Sequence, residues 1–190
     1  AVAGWDVGGG AMIDADYYSG DYNDRFGEGR LESFAFASHS LGPGTATATF
    51  ITHGVYTNDF SDRFFQLWIS SLGYSVTRGA FTFRGTAEYE DADVPEERRT
   101  RLATTVGYAF PRPTWGYDVS LEGSLAFSDF NGGANANRND VVAGLALTAD
   151  RKFGRGWALE WEAALINRFS NRDRSRFTAV DVGVELAKRF

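Results

Sequence analysis

The sequence has no cysteine and very little lysine, and each shortage excludes a class of protein. Without cysteine there can be no disulfide framework, thiolate metal site or cysteine nucleophile. Only Lys152 and Lys188 are lysines among the 19 basic residues, whereas the surface of a soluble protein usually carries many. A net charge of −6 argues against a general nucleic-acid binder. The lysine shortage indicates that much of the outer surface does not face water.

The chain also lacks a long apolar run. No stretch approaches the ~20 residues that a transmembrane helix needs. The length of 190 residues and the 43% of hydrophobic residues nevertheless suit one sizeable folded structure. We find no linker or change of composition, so we expect a single domain over residues 1–190.

The dominant pattern is alternation of apolar and polar residues, which is typical of strands with two different faces. In the last segment Val180, Val182 and Val184 alternate with Asp181 and Glu185. Similar segments recur along the whole chain and no convincing helix separates them. The pattern predicts ten strands, at about 4–18, 30–41, 45–57, 63–76, 80–91, 99–110, 116–129, 139–150, 156–169 and 176–190.

The connections between these strands alternate between two kinds. Short or turn-like connections are expected at 42–44, 77–79, 111–113 and 150–156. Longer polar connections are expected at 19–29, 57–62, 91–98, 130–139 and 170–175. An even number of antiparallel strands with short turns at one end and longer loops at the other is typical of membrane β-barrels. The fold class expected is therefore an all-β, transmembrane, antiparallel up-and-down β-barrel of about ten strands.

A soluble barrel or sandwich would also alternate, so the content of the two faces has to decide between them. The polar face is rich in small residues, which suits a narrow lumen, and aromatic residues lie near the segment ends as in two interfacial girdles. One girdle contains Trp5, Phe110, Trp115, Trp157 and Phe190, and the other Tyr17, Tyr89, Phe127 and Phe169. The facing of residues 30–76 stays open, because Phe64 to Tyr74 has bulk on both sides. Either a bulge changes the facing there, or Trp68 and Tyr74 fill the interior.

The last strand carries a resemblance to a known class. The closing Val-x-Val-x-Leu-x-Lys-Arg-Phe of residues 182–190 resembles the C-terminal strand of Gram-negative outer-membrane β-barrel proteins. In that class a terminal aromatic residue, here Phe190, is part of what the barrel-assembly machinery recognises. The resemblance implies location in the cell outer membrane, periplasmic chain ends, short periplasmic turns and longer extracellular loops. It identifies a class of architecture and does not assign a function.

The lumen face is predicted to be acidic. The acids expected on it are Asp6, Asp14, Asp16, Glu88, Asp118, Glu122, Asp140, Glu160, Glu162, Asp181 and Glu185, against the bases Arg84, Arg101, Arg168 and Arg189. If the last hairpin is symmetrical about 170–175, Glu160 lies opposite or diagonal to Glu185, with Glu162 and Asp181 a step along. We take Glu122, Glu160, Glu162, Asp181, Glu185 and Arg84 as the candidate binding cluster. Arg84 or Arg189 is expected to balance part of its charge; simple structural bonding is the alternative.

Catalysis finds little support. Omptin proteases and lipid A deacylases are outer-membrane enzymes, but their rim and exterior residue patterns are missing here. His39 and Ser40 are adjacent and point to opposite faces of a strand, and His39 and His53 lie toward opposite strand ends. We therefore assign no catalytic residues. No metal site or cofactor is predicted either, because no calcium-loop spacing or nucleotide-binding fingerprint is present.

Three functions remain open. The first is a small, porin-like transport component with a cation-leaning lumen. The second is a structural or interaction barrel with a plugged lumen, serving as a membrane anchor or as a subunit of an envelope or export assembly. The third, least favoured, is an outer-membrane lipid- or peptide-modifying enzyme. The partners expected are membrane lipid and lipopolysaccharide, the assembly machinery, and a periplasmic or surface protein, with no nucleic acid.

Overall fold

The protein is all-β. The computed structural model describes residues 4–15, 28–57, 60, 62–153 and 156–188. These residues form one antiparallel sheet of ten strands in sequence order, together with three short 3-10 helices, and no α-helix occurs among them. The strands are β1 (Trp5–Ala15), β2 (Glu28–Leu41), β3 (Gly44–Thr57), β4 (Arg63–Arg78), β5 (Phe81–Ala92), β6 (Arg99–Ala109), β7 (Asp118–Phe130), β8 (Arg138–Phe153), β9 (Trp157–Ser170) and β10 (Phe177–Lys188). The prediction of ten antiparallel up-and-down strands is confirmed.

The contacts between residues divide the chain into two compact units. Unit 1 contains residues 1–74, 86–101 and 129–138. Unit 2 contains residues 75–85, 102–128 and 139–190. Single strands, β4 for example, contribute residues to both units, so the division does not coincide with a linker in the sequence.

The tight turns have the chemistry that short hairpin connections need. Leu41 pairs with Gly44 across the two-residue turn Gly42-Pro43, and Gly42 has a positive φ of 57°. Gly79 has a φ of 59° in the equally short connection between β4 and β5. A glycine at the first central position is the signature of a type II′ turn, whose backbone twist matches that of the flanking strands. The sequence therefore determines these two hairpins locally.

Some predicted boundaries need correction. Strand β8 continues to Phe153, where the sequence predicted an end at 150 and a turn over 150–156. Asp150 therefore lies within the strand, where it pairs with Glu160. The predicted ends at 16–18 and 189–190, which include Phe190 and Arg189, lie outside the described residues, as do Tyr17 and Asp16.

The strand register in unit 1 shows on which face of the sheet the side chains of β2 and β3 lie. Asp6, Gly8 and Gly10 pair with Ser38, Phe36 and Phe34, so the two phenylalanines share the polar face of the sheet. A Cβ at Gly8 would lie 2.7 Å from the Phe36 ring, and one at Gly10 would lie 3.0 Å from the Phe34 ring. The rings thus cover the space that the missing glycine side chains leave, an arrangement that stabilises glycine in strands.

Strand β4 carries bulky residues on both of its faces, and its side chains alternate between the faces without interruption from Trp68 to Tyr74. Leu72 is 67% exposed and lies on the same face as Trp68 and Tyr74, and the Tyr74 hydroxyl donates a hydrogen bond of 3.1 Å to the carbonyl of Leu41. Gly54 pairs with Leu31 on the apolar face that carries Trp5 and Val7, and a Cβ at Gly54 would lie 3.0 Å from the side-chain oxygen of Gln66. Gln66 and the residues that alternate with it, Trp68 and Tyr74 included, therefore lie on that apolar face. Trp68 and Tyr74 are thus not on the polar face, which is the face predicted to line the lumen. Phe65, Leu67 and Ile69 occupy the polar face instead, because side chains alternate along a strand.

Buried residues are few and concentrate near the longer connections. In unit 1, Val55, Glu90, Ala92 and Phe130 are all buried and lie within a few residues of a strand end that leads into a longer loop. In unit 2, Asp140 and Ser170 are buried at the corresponding ends of β8 and β9. Most apolar side chains are exposed, Val180 at 73% and Ile13 at 70% among them. The strands therefore do not bury their apolar face against another part of the described chain.

Candidate functional site

A row of three carboxylates crosses unit 2 on the polar face of the sheet. Glu160 in β9 pairs directly with Glu185 in β10 and with Asp150 in β8. We call Asp150, Glu160 and Glu185 the acid row. The predicted opposition of Glu160 and Glu185 is found. Glu160 thus has a carboxylate opposite it on each of the two neighbouring strands.

The remaining acids of the candidate cluster extend the row along the strands. Glu162 pairs with Gly183, one side-chain step from the acid row, and Asp181 pairs with Ala164, a further step away. A hollow of about 180 Å³ lies among Glu160, Glu162, Glu185 and the residues Gly183 and Val184. Since Gly183 has no side chain, the carboxylates around it keep room for water or a small ion. Glu122 is in β7, on the face that the alternation assigns to the polar side, and is exposed.

The expected balancing arginines are not found beside the acid row. Arg84 lies in β5, and in the part of the chain that the structure describes no carboxylate comes within ion-pair distance of its guanidinium. Arg189 lies outside the described residues. Among the described ion pairs, none includes a member of the acid row. Lys152, two residues from Asp150 in β8, is on the same face of the sheet but forms no ion pair with the row among the described residues. Three neighbouring carboxylates against one lysine leave excess negative charge, so the surface formed here suits a cation.

This cluster does not have the geometry of a metal centre. Over residues 4–15, 28–57, 60, 62–153 and 156–188, no group of three or more histidine, aspartate or glutamate side chains is placed to hold a metal ion. A carboxylate row of this kind can attract mobile cations through its field, without direct coordination of a fixed ion.

The sequence reasoning missed Asp150, and the reason is its boundary error. With the turn placed over 150–156, Asp150 counted as a loop residue. A hairpin that is symmetrical about residue 155 pairs positions 150 and 160, so the signal was present once β8 was extended. The register observed, from Phe153 opposite Trp157 to Asp140 opposite Ser170, follows that symmetry.

At the other end of the strands the acids are paired with arginines. In unit 1 Glu90 accepts from Arg99 at 2.8 Å, and Glu88 accepts from Arg101 at 2.9 Å. In unit 2 Asp140, which is almost fully buried, lies 4.0 Å from Arg168, whose guanidinium carbon stands 4.7 Å from the centre of the Phe177 ring. In unit 2, the acid row near the end of β8 at Phe153 has no such ion pair among the described residues.

The two histidines do not form a site together. His39 stacks on Trp5 with ring centres 4.8 Å apart, and its Nδ1 lies 2.9 Å from the carbonyl oxygen of Gly4. His53 lies on the opposite face of the sheet, 3.5 Å from the carboxylate of Glu32. Because His39 and Ser40 are successive residues of β2, their side chains also point to opposite faces. Each histidine thus has a structural partner of its own.

Comparison with known proteins adds no further constraint on the function. No protein-family model matches this chain, and no curated protein is significantly similar to it. No helix in the described ranges is both long and apolar enough to cross a membrane.

Proposed function

We propose that this chain is an integral outer-membrane β-barrel that acts as a small, porin-like transport component with a cation-leaning lumen. The observation that carries the proposal is the division of the sheet into two faces. One face exposes large apolar side chains along its strands, including Ile13, Leu72 and Val180, while the acid row lies on the other. An apolar surface of this extent is not tolerated in water, and lipid is the solvent that would cover it.

Closure of the sheet is part of this proposal. The strand order leaves β1 and β10 as the two edge strands. Open edges are excluded from the hydrocarbon region because each unpaired backbone group there costs several kcal/mol. Pairing β1 with β10 would remove both edges and turn the polar face inward. Ten strands give an interior slightly wider than the roughly eight-stranded size that side chains fill completely, which leaves space for a narrow water path.

The cation preference follows from the acid row. Among the described residues, no ion pair includes Asp150, Glu160 or Glu185, whereas Glu90 and Asp140, near the longer loops, each lie within 4.0 Å of an arginine. In a narrow water-filled path, fixed negative charge concentrates cations and excludes anions. We propose no catalytic role and no cofactor, with lipid, lipopolysaccharide and the barrel-assembly machinery as partners in the envelope.

A second function is favoured by a separate observation. Phe34 and Phe36, together with Phe65, Leu67 and Ile69, place apolar bulk on the polar face of unit 1. Such residues reduce the space available for water. They favour a structural or interaction barrel whose lumen is filled and whose partner is a periplasmic or surface protein.

Planar-bilayer recording separates the two functions. The parent protein is expected to give discrete conductance steps, with a reversal potential in a KCl gradient that shows cation selectivity. The double variant E160Q/E185Q removes two charges of the acid row. Its reversal potential is expected to lie closer to zero than that of the parent, because the variant selects cations less strongly. The matched control D62N/D173N removes two loop charges, at Asp62 and Asp173, outside the acid row, and is expected to behave like the parent. An inserted but silent parent protein would favour the filled barrel instead.

A further inference from the structure

Two loops of unit 1 are joined to each other by direct contacts. These are residues 93–98, between β5 and β6, and residues 131–137, between β7 and β8, and we call them together the loop cap. The backbone N–H of Asn131 donates to the carbonyl of Arg98 at 3.1 Å, and the N–H of Ala134 donates to the Glu96 carboxylate at 3.2 Å. The side-chain amide of Asn135 donates to the carbonyl of Glu96 at 3.0 Å.

The close contact between the two loops requires a glycine at position 132. Gly132 is buried, and a Cβ added to it would collide with the carbonyl oxygen of Pro95. The backbone of Gly132 has φ −134° and ψ 155°, a conformation that any residue adopts. The glycine is therefore required for close approach of the loops and not for its own backbone conformation.

The loop cap is also fixed to the strands below it. Asp93 accepts a hydrogen bond of 2.8 Å from the N–H of Gln66 in β4 and forms an ion pair with Arg63 at 3.2 Å. Arg98 donates from Nε to the carbonyl of Ala92 at 2.9 Å and contacts the Asp91 carboxylate at 3.0 Å. Each end of the first loop is thus tied to a strand.

Beneath the loop cap, the polar face is filled by a packed group of long side chains. Phe130 is buried, and the guanidinium carbons of Arg138 and Arg99 lie 4.4 Å and 5.6 Å from the centre of its ring. Arg99 also holds the buried Glu90 carboxylate at 2.8 Å. Cation–π contacts and a buried ion pair of this kind restrict the rotation of the side chains that form them.

We infer that the loop cap and the Glu90–Arg99–Phe130–Arg138 group form a fixed constriction that limits passage along the polar face at the long-loop end. This inference rests on the proposed barrel, in which the polar face lines the lumen. Barrels of this class are known to be narrowed or plugged by their own loops. The constriction contains three arginines, Arg98, Arg99 and Arg138, and four acids, Glu90, Asp93, Glu96 and Glu97, so its barrier to passage comes from the narrow space and not from its charge. Conductance is then limited by the loops and selectivity is governed by the acids.

The substitution Gly132→Ala tests the constriction, because it separates the loops without changing any charge. In planar bilayers G132A is expected to conduct more per channel than the parent, with the selectivity unchanged. The matched control is G123A in β7, since a Cβ at Gly123 meets no atom within 4 Å. Equal conductance of G132A, G123A and the parent would overturn the constriction.

Limited trypsin digestion of the whole protein in detergent tests the loop cap without depending on conductance. Arg98 and Arg99 are held by the contacts above, so cleavage after them is expected to be slow in the parent and in G123A and faster in G132A. Arg172 and Arg174 are exposed and serve as internal reference sites that should be cut at one rate in all three proteins. Rapid cleavage after Arg98 in the parent would refute a fixed cap. Failure of the parent to enter bilayers would instead refute the proposed function, and the digestion result would still stand.

Discussion

Three ion pairs of nearly equal length allow the effect of burial on stability to be predicted. The pairs are Glu90–Arg99 at 2.8 Å, Glu88–Arg101 at 2.9 Å and Asp173–Arg176 at 3.0 Å. The carboxylate side chains are 7%, 19% and 90% exposed, in that order. Since the distances are the same within 0.2 Å, a difference in stability between the variants must come from the surroundings of the charges.

The variants E90Q, E88Q and D173N each neutralise one carboxylate while keeping its shape. Breaking a fully buried pair costs about 3–5 kcal/mol, because the remaining charge stays buried without a partner. Arg99 is 32% exposed and keeps some contact with water, so we expect about 2 kcal/mol for E90Q. For E88Q we expect about 1 kcal/mol, the ordinary contribution of a part-buried hydrogen bond. For D173N we expect less than about 0.5 kcal/mol, as for other exposed pairs on one short turn.

The assay is urea unfolding of the parent and the three variants in the same lipid vesicles, with the free energy taken from the midpoint and slope. Equal slopes would show that the variants unfold from the same state. The predicted order of destabilisation is E90Q, then E88Q, then D173N. A loss for D173N as large as that for E90Q would refute the reasoning, and so would an E90Q variant as stable as the parent.

Three further results are expected. Gly8→Ala places a methyl group against the Phe36 ring and should lower the free energy of unfolding by about 1 kcal/mol in the same urea assay. The control G123A should lower it hardly at all, since a Cβ at Gly123 meets no atom within 4 Å. Equal losses of stability in the two variants would contradict the packing of Phe36 over Gly8. Tyr74→Phe removes the 3.1 Å hydrogen bond to Leu41 and should cost about 0.5–1.5 kcal/mol, measured by thermal unfolding; an unchanged midpoint would show that the bond does not form in lipid. The cation selectivity of the parent should fall as the KCl concentration rises from about 0.1 to about 1 M, because the Debye length shortens from about 10 to about 3 Å. A selectivity that does not change with salt would contradict selection of cations by the acid row.

The alternation of side chains was enough to predict the strands and the last hairpin. Val180, Val182 and Val184 alternate with Asp181 and Glu185 over a long, regular segment, and a symmetrical turn then determines which residues face each other. The opposition of Glu160 and Glu185 therefore follows from the order of the residues alone. The same symmetry predicts the partner of Asp150 once the end of β8 is placed correctly. The error therefore lay in the predicted strand boundary and not in the use of hairpin symmetry.

The face of the sheet on which the side chains of β2–β4 lie could not be predicted, because the local sequence does not determine it. Phe34 and Phe36 look like residues of an apolar face, yet they cover Gly8 and Gly10 on the polar face. The choice depends on the pairing between strands that are separated by residues 16–27. Strand β4 has apolar side chains at consecutive positions, so alternation alone gives two equal solutions there.

The contacts of the loop cap could not be predicted from the sequence either. Its contacts join residues such as Glu96 and Asn135, which are 39 positions apart and carry no motif. The requirement for glycine at position 132 comes from the Pro95 carbonyl of another loop and not from its own backbone conformation. The acids and arginines of residues 91–99 were visible as a charged loop, but their partners follow only from the packing of the strands.

The covering of the apolar face by lipid can be measured most directly through Trp161, which lies on that face and is 46% exposed. A variant that keeps Trp161 and replaces the other four tryptophans by phenylalanine is reconstituted into vesicles whose acyl chains carry bromine, a contact quencher of indole fluorescence. If the chain spans a membrane with this face outward, the emission of Trp161 is strongly quenched relative to unbrominated vesicles. Equal emission in both kinds of vesicle, with the folded protein recovered from the aqueous phase, would contradict the membrane barrel and the transport function that depends on it.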